Sequence, residues 1–483
     1  VAGENFGSSV AMNGVGDRLI IGATKNSGGG SNNKGKNYVY NYNVNTLTWE
    51  YERDVSSNVL TSGNEGTALA IDTLGNRFVS GAPTGDGSVA VYDRQMKCNA
   101  LTAHGGNWIG GGNAVRVEQD TPFAYSADGI TNWQVAAKGK KEAILRKELF
   151  YAPSPSNNYF GNDCALNAAG TRLAVGSYAA NSDYGRVCIY DYDMSLNDWF
   201  AEPTKVLTGT NSGGNQYYGM RLALNAAGDR LIVGEPYNDD DAANRGKIYI
   251  YHYNHTTGEW PTTATRTYIG DSANDNFGTA VAINAAGNRV AIGAPFVNNG
   301  VTDSGSVFII DYNDDTGEWP SIDNTAASSI IGRIKVAYSA EYQSFGTSLS
   351  FNAAGDVLAI GASGITSFAK TAAIFIIERD NTTGQWGRLD RTIGTDISIT
   401  NGNFTTSYTM QAASTNTYLA RSVSLNAKGD RLAISEYKYS TSTGRVYLIH
   451  YDYSNKRWWT DGNTITNCST LVRYYQGLTT EYY

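Results

Sequence analysis

The sequence predicts an all-β chain folded as a β-propeller of four-stranded antiparallel blades, and three observations carry that prediction. One motif recurs along the 483 residues. Its strands alternate large with small side chains rather than apolar with polar ones. Its copies return at an average of about 59 residues, room for four strands of about 5–6 residues with their turns and little else.

The motif is clearest at Phe160 (FGNDCALNAAGTRLAVGSY), Tyr218 (YGMRLALNAAGDRLIVGEP), Phe277 (FGTAVAINAAGNRVAIGAP) and Phe345 (FGTSLSFNAAGDVLAIGAS). The first copy, at Phe6, reads FGSSVAMNGVGDRLIIGAT, and the last, at Leu419, reads LARSVSLNAKGDRLAISEY. A copy at Gly66 lacks the aromatic residue, and a degenerate one at Gly112 (GNAVRVEQDTPFAYSADG) keeps only the apolar rhythm. The small residue after the aromatic marks eight starts: Gly7, Gly66, Gly112, Gly161, Gly219, Gly278, Gly346 and Ala420. Eight blades are preferred, in one propeller over residues 1–483, with motifs starting near 6, 65, 111, 160, 218, 277, 345 and 419. Seven is the alternative if Gly112 opens no blade. Against seven stands the stretch from Gly66 through Phe160, too long for one ordinary blade.

Each copy parses into the same elements. A first strand such as Thr279–Asn284 runs into the turn Ala285-Ala286-Gly287, whose glycine adopts a left-handed conformation cheaply. A second strand, Arg289–Gly293, returns. After a variable loop, Gly305-Ser306 opens a third strand over Val307–Tyr312, and a hairpin, Asn313–Trp319, leads to a fourth. In Val281-Ala282-Ile283 and Val290-Ala291-Ile292 neither face is made for water, so both are packed. Third strands such as Ile248-Tyr249-Ile250-Tyr251 carry bulk on both sides. Thin inner strands and thick outer ones make a wedge, and wedges stacked around an axis make a propeller.

Composition narrows the function. Charged residues are only 17% of the chain, Gly numbers 54 and Pro 9, as suits a folded β protein with many turns. A net charge of -8 and the absence of a Lys/Arg cluster argue against nucleic acid and anionic membranes as partners. No apolar run approaches the roughly 20 residues that span a bilayer, so membrane insertion is not expected. The chain opens at Val1 without an initiator Met or signal pattern, and its start is read as processed or excerpted. Cys98, Cys164, Cys188 and Cys468 are too scattered for a disulfide framework. Cys164 and Cys188 share one repeat and are read as buried free thiols.

Repeated residues read as structure. Trp49, Trp199, Trp260, Trp319, Trp386 and Trp458 open the fourth strands and are expected to pack rather than stack on sugars. Arg18, Arg77, Arg172, Arg230, Arg289 and Arg431 follow the turns and are expected in structural pairs or on a solvated edge. His104, His252, His255 and His450 are the whole histidine inventory, and none accompanies a nucleophile pattern; no catalytic residue or cofactor is assigned. The stretch Gly28-Gly29-Gly30 has no following helix and reads as a loop. Asp239, Asp240 and Asp241 are candidate Ca²⁺ ligands, with a solvated acidic loop the preferred reading. Asp314-Asp315 reads as turn chemistry. Sequons at Asn254, Asn381, Asn403 and Asn467 permit N-glycosylation.

The pair Phe277-Gly278 followed by Gly293-Ala294-Pro295 resembles the FG-GAP repeat, the propeller unit of integrin α-subunits and of many extracellular or virion-associated proteins. Gly81-Ala82-Pro83, Gly22-Ala23, Gly234-Glu235-Pro236 and Gly361-Ala362 repeat or vary its second half. The resemblance implies a propeller outside the cytoplasm. It does not carry over the integrin calcium loops, because the connection that holds them is here the short Asn284–Asn288.

The expectation is therefore a non-enzymatic extracellular or particle-surface protein, in adhesion or in an assembly such as a virion, surface layer or appendage. Its partners would be proteins or assembly neighbours, with glycans as a second class. Partner contacts are expected on two irregular stretches, Asn324–Ser344 and Thr395–Thr417. Two alternatives stand beside it: a carbohydrate-binding propeller, and an enzyme with its site at the central axis, disfavoured because no acidic cluster converges there.

Overall fold

The computed structural model describes residues 5–25, 34–57, 63–84, 87–97, 123–126, 133–137, 140–149, 158–180, 184–209, 216–240, 242–298, 302–320, 333–337, 344–363, 372–379, 381–382, 386–387, 398–399, 408–411, 418–436, 444–453, 457–466 and 470–473. Seven antiparallel sheets form seven blades around one axis. Their inner strands are Phe6–Met12, Ala68–Ile71, Cys164–Leu166, Arg221–Leu224, Ala280–Ile283, Phe345–Phe351 and Leu419–Leu425. Each inner strand lies against those of its neighbours, and the last lies against the first, so the ring closes.

Seven blades correct the preferred count of eight. The long second blade runs Ala68–Ile71, Arg77–Ala82 and Ser88–Lys97, and its outermost strand is Lys140–Leu149. The surplus residues lie between its third and fourth strands, where Phe123–Ser126 and Trp133–Ala137 pair as a separate two-stranded hairpin. The length argument found the anomaly but took an insertion for a blade. Gly112 itself lies outside the described residues. The stretches read as irregular contain sheet: Arg333–Ala337 is the fourth strand of blade 5, and Tyr408–Gln411 pairs with the third strand of blade 6.

The FG-GAP glycines have a steric reason. A Cβ on Gly293 would sit 1.9 Å from the carbonyl oxygen of Gly346, and one on Gly81 would sit 1.9 Å from that of Gly161. The second strand of one blade therefore meets, backbone to backbone, the glycine that opens the next. Between these contacts the sheets bury continuous apolar layers; Ile232, Ile248, Ile250 and Tyr268 of blade 4 pack with Phe277, Val290, Ile292, Phe308 and Trp319 of blade 5. All six Trp residues of the fourth-strand position are buried there, as packing requires.

The repeated arginines staple blades together. Arg77, Arg172, Arg230, Arg289 and Arg431 each donate from Nη1 to the carbonyl of the next blade's turn glycine, at 2.6–2.9 Å. Arg77, Arg172 and Arg289 also pair with an aspartate of their own third strand, Asp93, Asp191 and Asp311. Arg77, Arg172, Arg230 and Arg431 lie over a tyrosine ring of the next blade at 4.0–4.3 Å. The contact from blade 7 to blade 1 uses the same staple and adds Val10 N and Met12 N donating to Ser422 and Ser424 Oγ. The first three strands of every blade are consecutive in the chain, and the ring is closed by packing and side-chain hydrogen bonds. Cys164 and Cys188 are free and buried, and burial pushes the Cys188 thiol up to about 12.

Candidate active site at the mouth of the propeller

The blade strands give the molecule two different faces. One carries the Asn-Ala-Ala-Gly turns and the third-to-fourth hairpins; the other, the mouth, carries the approaches to the inner strands and the second-to-third loops. Side-chain carbonyls hold the turns: Asn352 Oδ1 accepts from the backbone N–H groups of Gly355, Asp356 and Val357 at 2.9–3.0 Å. That face is repetitive. The mouth is where the repeats diverge.

Immediately before the motif's first position, aromatic in five of the seven blades, stands a residue with left-handed backbone: Asn5, Asn64, Tyr159, Tyr217, Asn276, Ser344 and Tyr418, with φ between 50° and 59°. Asn takes this conformation readily; a tyrosine is disfavoured there, and such strain concentrates at functional sites. Tyr159 stacks on Tyr178 at 4.8 Å between ring centres. Tyr178 meets Tyr217 edge-on at 5.0 Å, and Tyr217 meets Tyr237 at 5.3 Å. Four tyrosines from blades 3 and 4 thus form a continuous aromatic run on the mouth.

Beside them the inner strands begin with residues that break the repeat. The second residue after the motif glycine is Ser9, Ala68, Asp163, Arg221, Ala280, Ser348 and Ser422 around the ring. Arg221 donates from Nε to Thr279 O and from Nη1 to Met220 O, at 2.9 and 2.8 Å, which fixes its guanidinium. It lies within electrostatic reach of Asp163, of Arg421 from blade 7, and of the Tyr237 and Tyr178 hydroxyls. Burial, and then the like charge of Arg421, lower its affinity for its proton, while Asp163 opposes them. The Asp163 carboxylate accepts Cys164 N on Oδ1 at 3.0 Å and Leu222 N on Oδ2 at 2.8 Å. Burial raises its pKa to about 6 against the opposing pull of Arg221 and these two N–H groups. A carboxyl poised near neutrality beside the Arg221 guanidinium, which in turn lies within reach of Arg421, can exchange a proton next to a cationic anion-holding group.

The expected site residues are placed elsewhere. Asp239 and Asp240 are exposed in a second-to-third loop; Asp239 Oδ1 accepts Asn244 N at 2.6 Å, and Asp240 pairs with Lys247 Nζ at 2.8 Å. Both carboxylates thus serve their own loop, and Asp241 lies outside the described residues. Among the described residues no group of three or more His, Cys, Asp and Glu could hold a metal ion. Asn254 and Asn381 are exposed, while Asn403 and Asn467 lie outside the described residues, as does His104. Sequence reasoning missed the mouth cluster. Its signal was present: tyrosine in place of Asn at three left-handed positions, and charge in place of Ser or Ala at the start of two adjacent inner strands.

A family model described as FG-GAP repeat matches residues 1–40 and 269–310. Among solved structures, a putative 6-phosphogluconolactonase from Bacteroides uniformis is similar with a TM-score of 0.55 and 10% identity, over 93% of this chain and 97% of its own. A second putative 6-phosphogluconolactonase, from Bacteroides fragilis, gives 0.55 and 11% over 93% and 95%. A protein from Lactobacillus plantarum gives 0.51 and 11% over 92% and 94%. At such identities the likeness is one of fold. The expectation of a non-enzymatic adhesion or assembly protein is corrected to that extent: the propeller is shared over nearly its whole length with chains named as putative 6-phosphogluconolactonases, so the fold does not stand against an enzyme. The mouth residues come from different blades and form no local pattern in the sequence.

Proposed function

We propose that this FG-GAP-repeat propeller acts outside the cytoplasm as a hydrolase of an anionic sugar lactone, with its site at the mouth of the axis. The observation that carries the reading is the meeting of Asp163, its carboxyl pushed up to about 6, with Arg221, which lies within reach of Arg421 and beside the tyrosine run. Tyrosine faces suit a sugar ring, and two guanidinium groups suit its carboxylate or phosphate. The Asp163 carboxylate takes a proton from water as the water oxygen adds to the lactone carbonyl. Arg221, already fixed by two backbone acceptors, stabilises the oxyanion. Collapse breaks the ring C–O bond, and the proton returns from Asp163 to the departing ring oxygen, leaving the open hydroxy acid. The names of the two Bacteroides proteins support this substrate class; the FG-GAP repeats support the location.

The test is hydrolysis of 6-phosphogluconolactone and of unphosphorylated gluconolactone, followed by acid release and corrected for the spontaneous rate. Catalysis is expected to rise as pH passes through about 6, where Asp163 loses its proton, and to reach a plateau above it. Asp163→Asn is expected to lose about 100-fold or more in kcat. Arg421→Ala is expected to raise KM for the phosphorylated lactone more than for the other. A wild-type rate no faster than the spontaneous one, or full activity in Asp163→Asn, would contradict the proposal.

A further inference from the structure

A cleft lies on the opposite face, between blades 7 and 1. Its volume is about 290 Å³, and its walls include Trp49, Tyr42, Lys428, Arg431, His450 and Tyr453 over an apolar floor of Met12, Leu448 and Ile449. The arginine staple that borders it recurs between other blades, so what differs here is informative.

Two substitutions set it apart. In blades 2, 3 and 5 the second-strand arginine is neutralised by an aspartate of the third strand, Asp93, Asp191 or Asp311. The residue paired with Arg431 across the strands is instead His450. Arg431 keeps its bond to Gly16 O and its place over the Tyr42 ring but makes no ion pair with a third-strand carboxylate, the neighbouring Asp430 being the one within its electrostatic reach. The second Ala of the turn, Ala169, Ala227, Ala286 or Ala354 in blades 3 to 6, is here Lys428, whose ammonium pairs with Asp430 at 2.8 Å and lies over the Tyr453 ring. The cleft therefore holds two fixed cations against one carboxylate.

Blade 4 provides the comparison. There too the aspartate is replaced by histidine, but His252 Nε2 accepts the Trp319 Nε1–H of the next blade at 2.8 Å, which occupies the imidazole. Trp49 is the equivalent residue facing His450, and that bond is not made; both side chains line the open cleft.

We propose that this cleft binds a small organic anion with a flat apolar body, its charge taken by Arg431, Lys428 and His450 and its body by Tyr42, Tyr453 and the apolar floor. The requirement is a missing carboxylate: the ligand supplies in trans the negative charge that Asp93, Asp191 and Asp311 supply in the sister blades. The site is independent of the mouth.

Benzoate and phenyl phosphate serve as probes, with binding to the intact protein followed by ligand-observed NMR and calorimetry. Saturable binding is expected. His450→Asp restores the sister-blade pair, so it is expected to keep or raise the melting temperature while weakening binding at least tenfold. Lys428→Ala, which restores the sister-blade turn at an exposed position, is expected to weaken binding several-fold. His252→Asp is expected to bind as wild type does. Absence of saturable binding at millimolar probe, or undiminished binding in both His450→Asp and Lys428→Ala, would overturn the proposal.

Discussion

Glu235 shows how a single residue sets a measurable property of the whole fold. It occupies the Ala position of the FG-GAP motif, is fully buried, and accepts the Tyr249 hydroxyl and Asn238 Nδ2 on Oε2, while Oε1 has no partner. Burial raises its pKa from 4.5 to about 7. The folded state thus holds this proton more tightly than the unfolded chain, so the stability it contributes is full below about 4.5 and lost as pH rises through about 7. Glu235→Gln is expected to flatten that loss and to be the more stable protein at pH 8, as urea midpoints at pH 5 and pH 8 would show. A steeper loss in the variant would contradict this. Tyr217→Asn belongs to the same scale. It returns the left-handed position to the residue found at Asn5 and Asn276, so the fold should be kept, while sugar-lactone KM at the mouth should rise. Residues of this kind were the least legible in the sequence. The Trp and Arg series could be read as structural because repetition identifies a packing role. Asp163, Arg221 and Arg421 are single departures within a repeat, and only the ring brings Arg421 of the last blade within reach of Arg221.

At the scale of the strand and turn, the sequence was a better guide. The first strand, the Asn-Ala-Ala-Gly turn and the second and third strands of blade 5 appear within a residue or two of their expected bounds, because two local signals coincide there: large/small alternation and a turn glycine at φ 79°. Fourth strands were less legible. Arg333–Ala337 and Tyr408–Gln411 were hidden in stretches read as irregular, since an outer strand is chosen by the edge it pairs with more than by its own pattern. The steric account of the motif makes a direct claim about elements. Gly293→Ala must push Gly346 away from the second strand of blade 5, and a cost of about 3 kcal/mol is expected from overpacking. Chemical denaturation checks it; a loss near the small cost of an exposed substitution would mean that the blades slide apart easily.

At the scale of the molecule, architecture was legible and blade number was not. Periodicity counts motif copies, whereas blades are counted by sheets, and an insertion between two strands of one sheet imitates a copy. Function was illegible for a related reason. A propeller gathers its mouth from the starts of seven inner strands spread over more than 400 residues, so a site there leaves no motif in one dimension. The repeat builds a ring with two faces, and each candidate site lies where a blade departs from the repeat: Asp163 and Arg221 at the mouth, Lys428 and His450 on the turn face. The most direct test is a crystal structure of Asp163→Asn soaked with 6-phosphogluconolactone. Intact lactone is expected at the mouth, its ring against Tyr178, Tyr217 or Tyr237 and its phosphate on Arg221 or Arg421. A mouth left empty at saturating lactone, or lactone bound only at a site lacking these residues, would contradict the account.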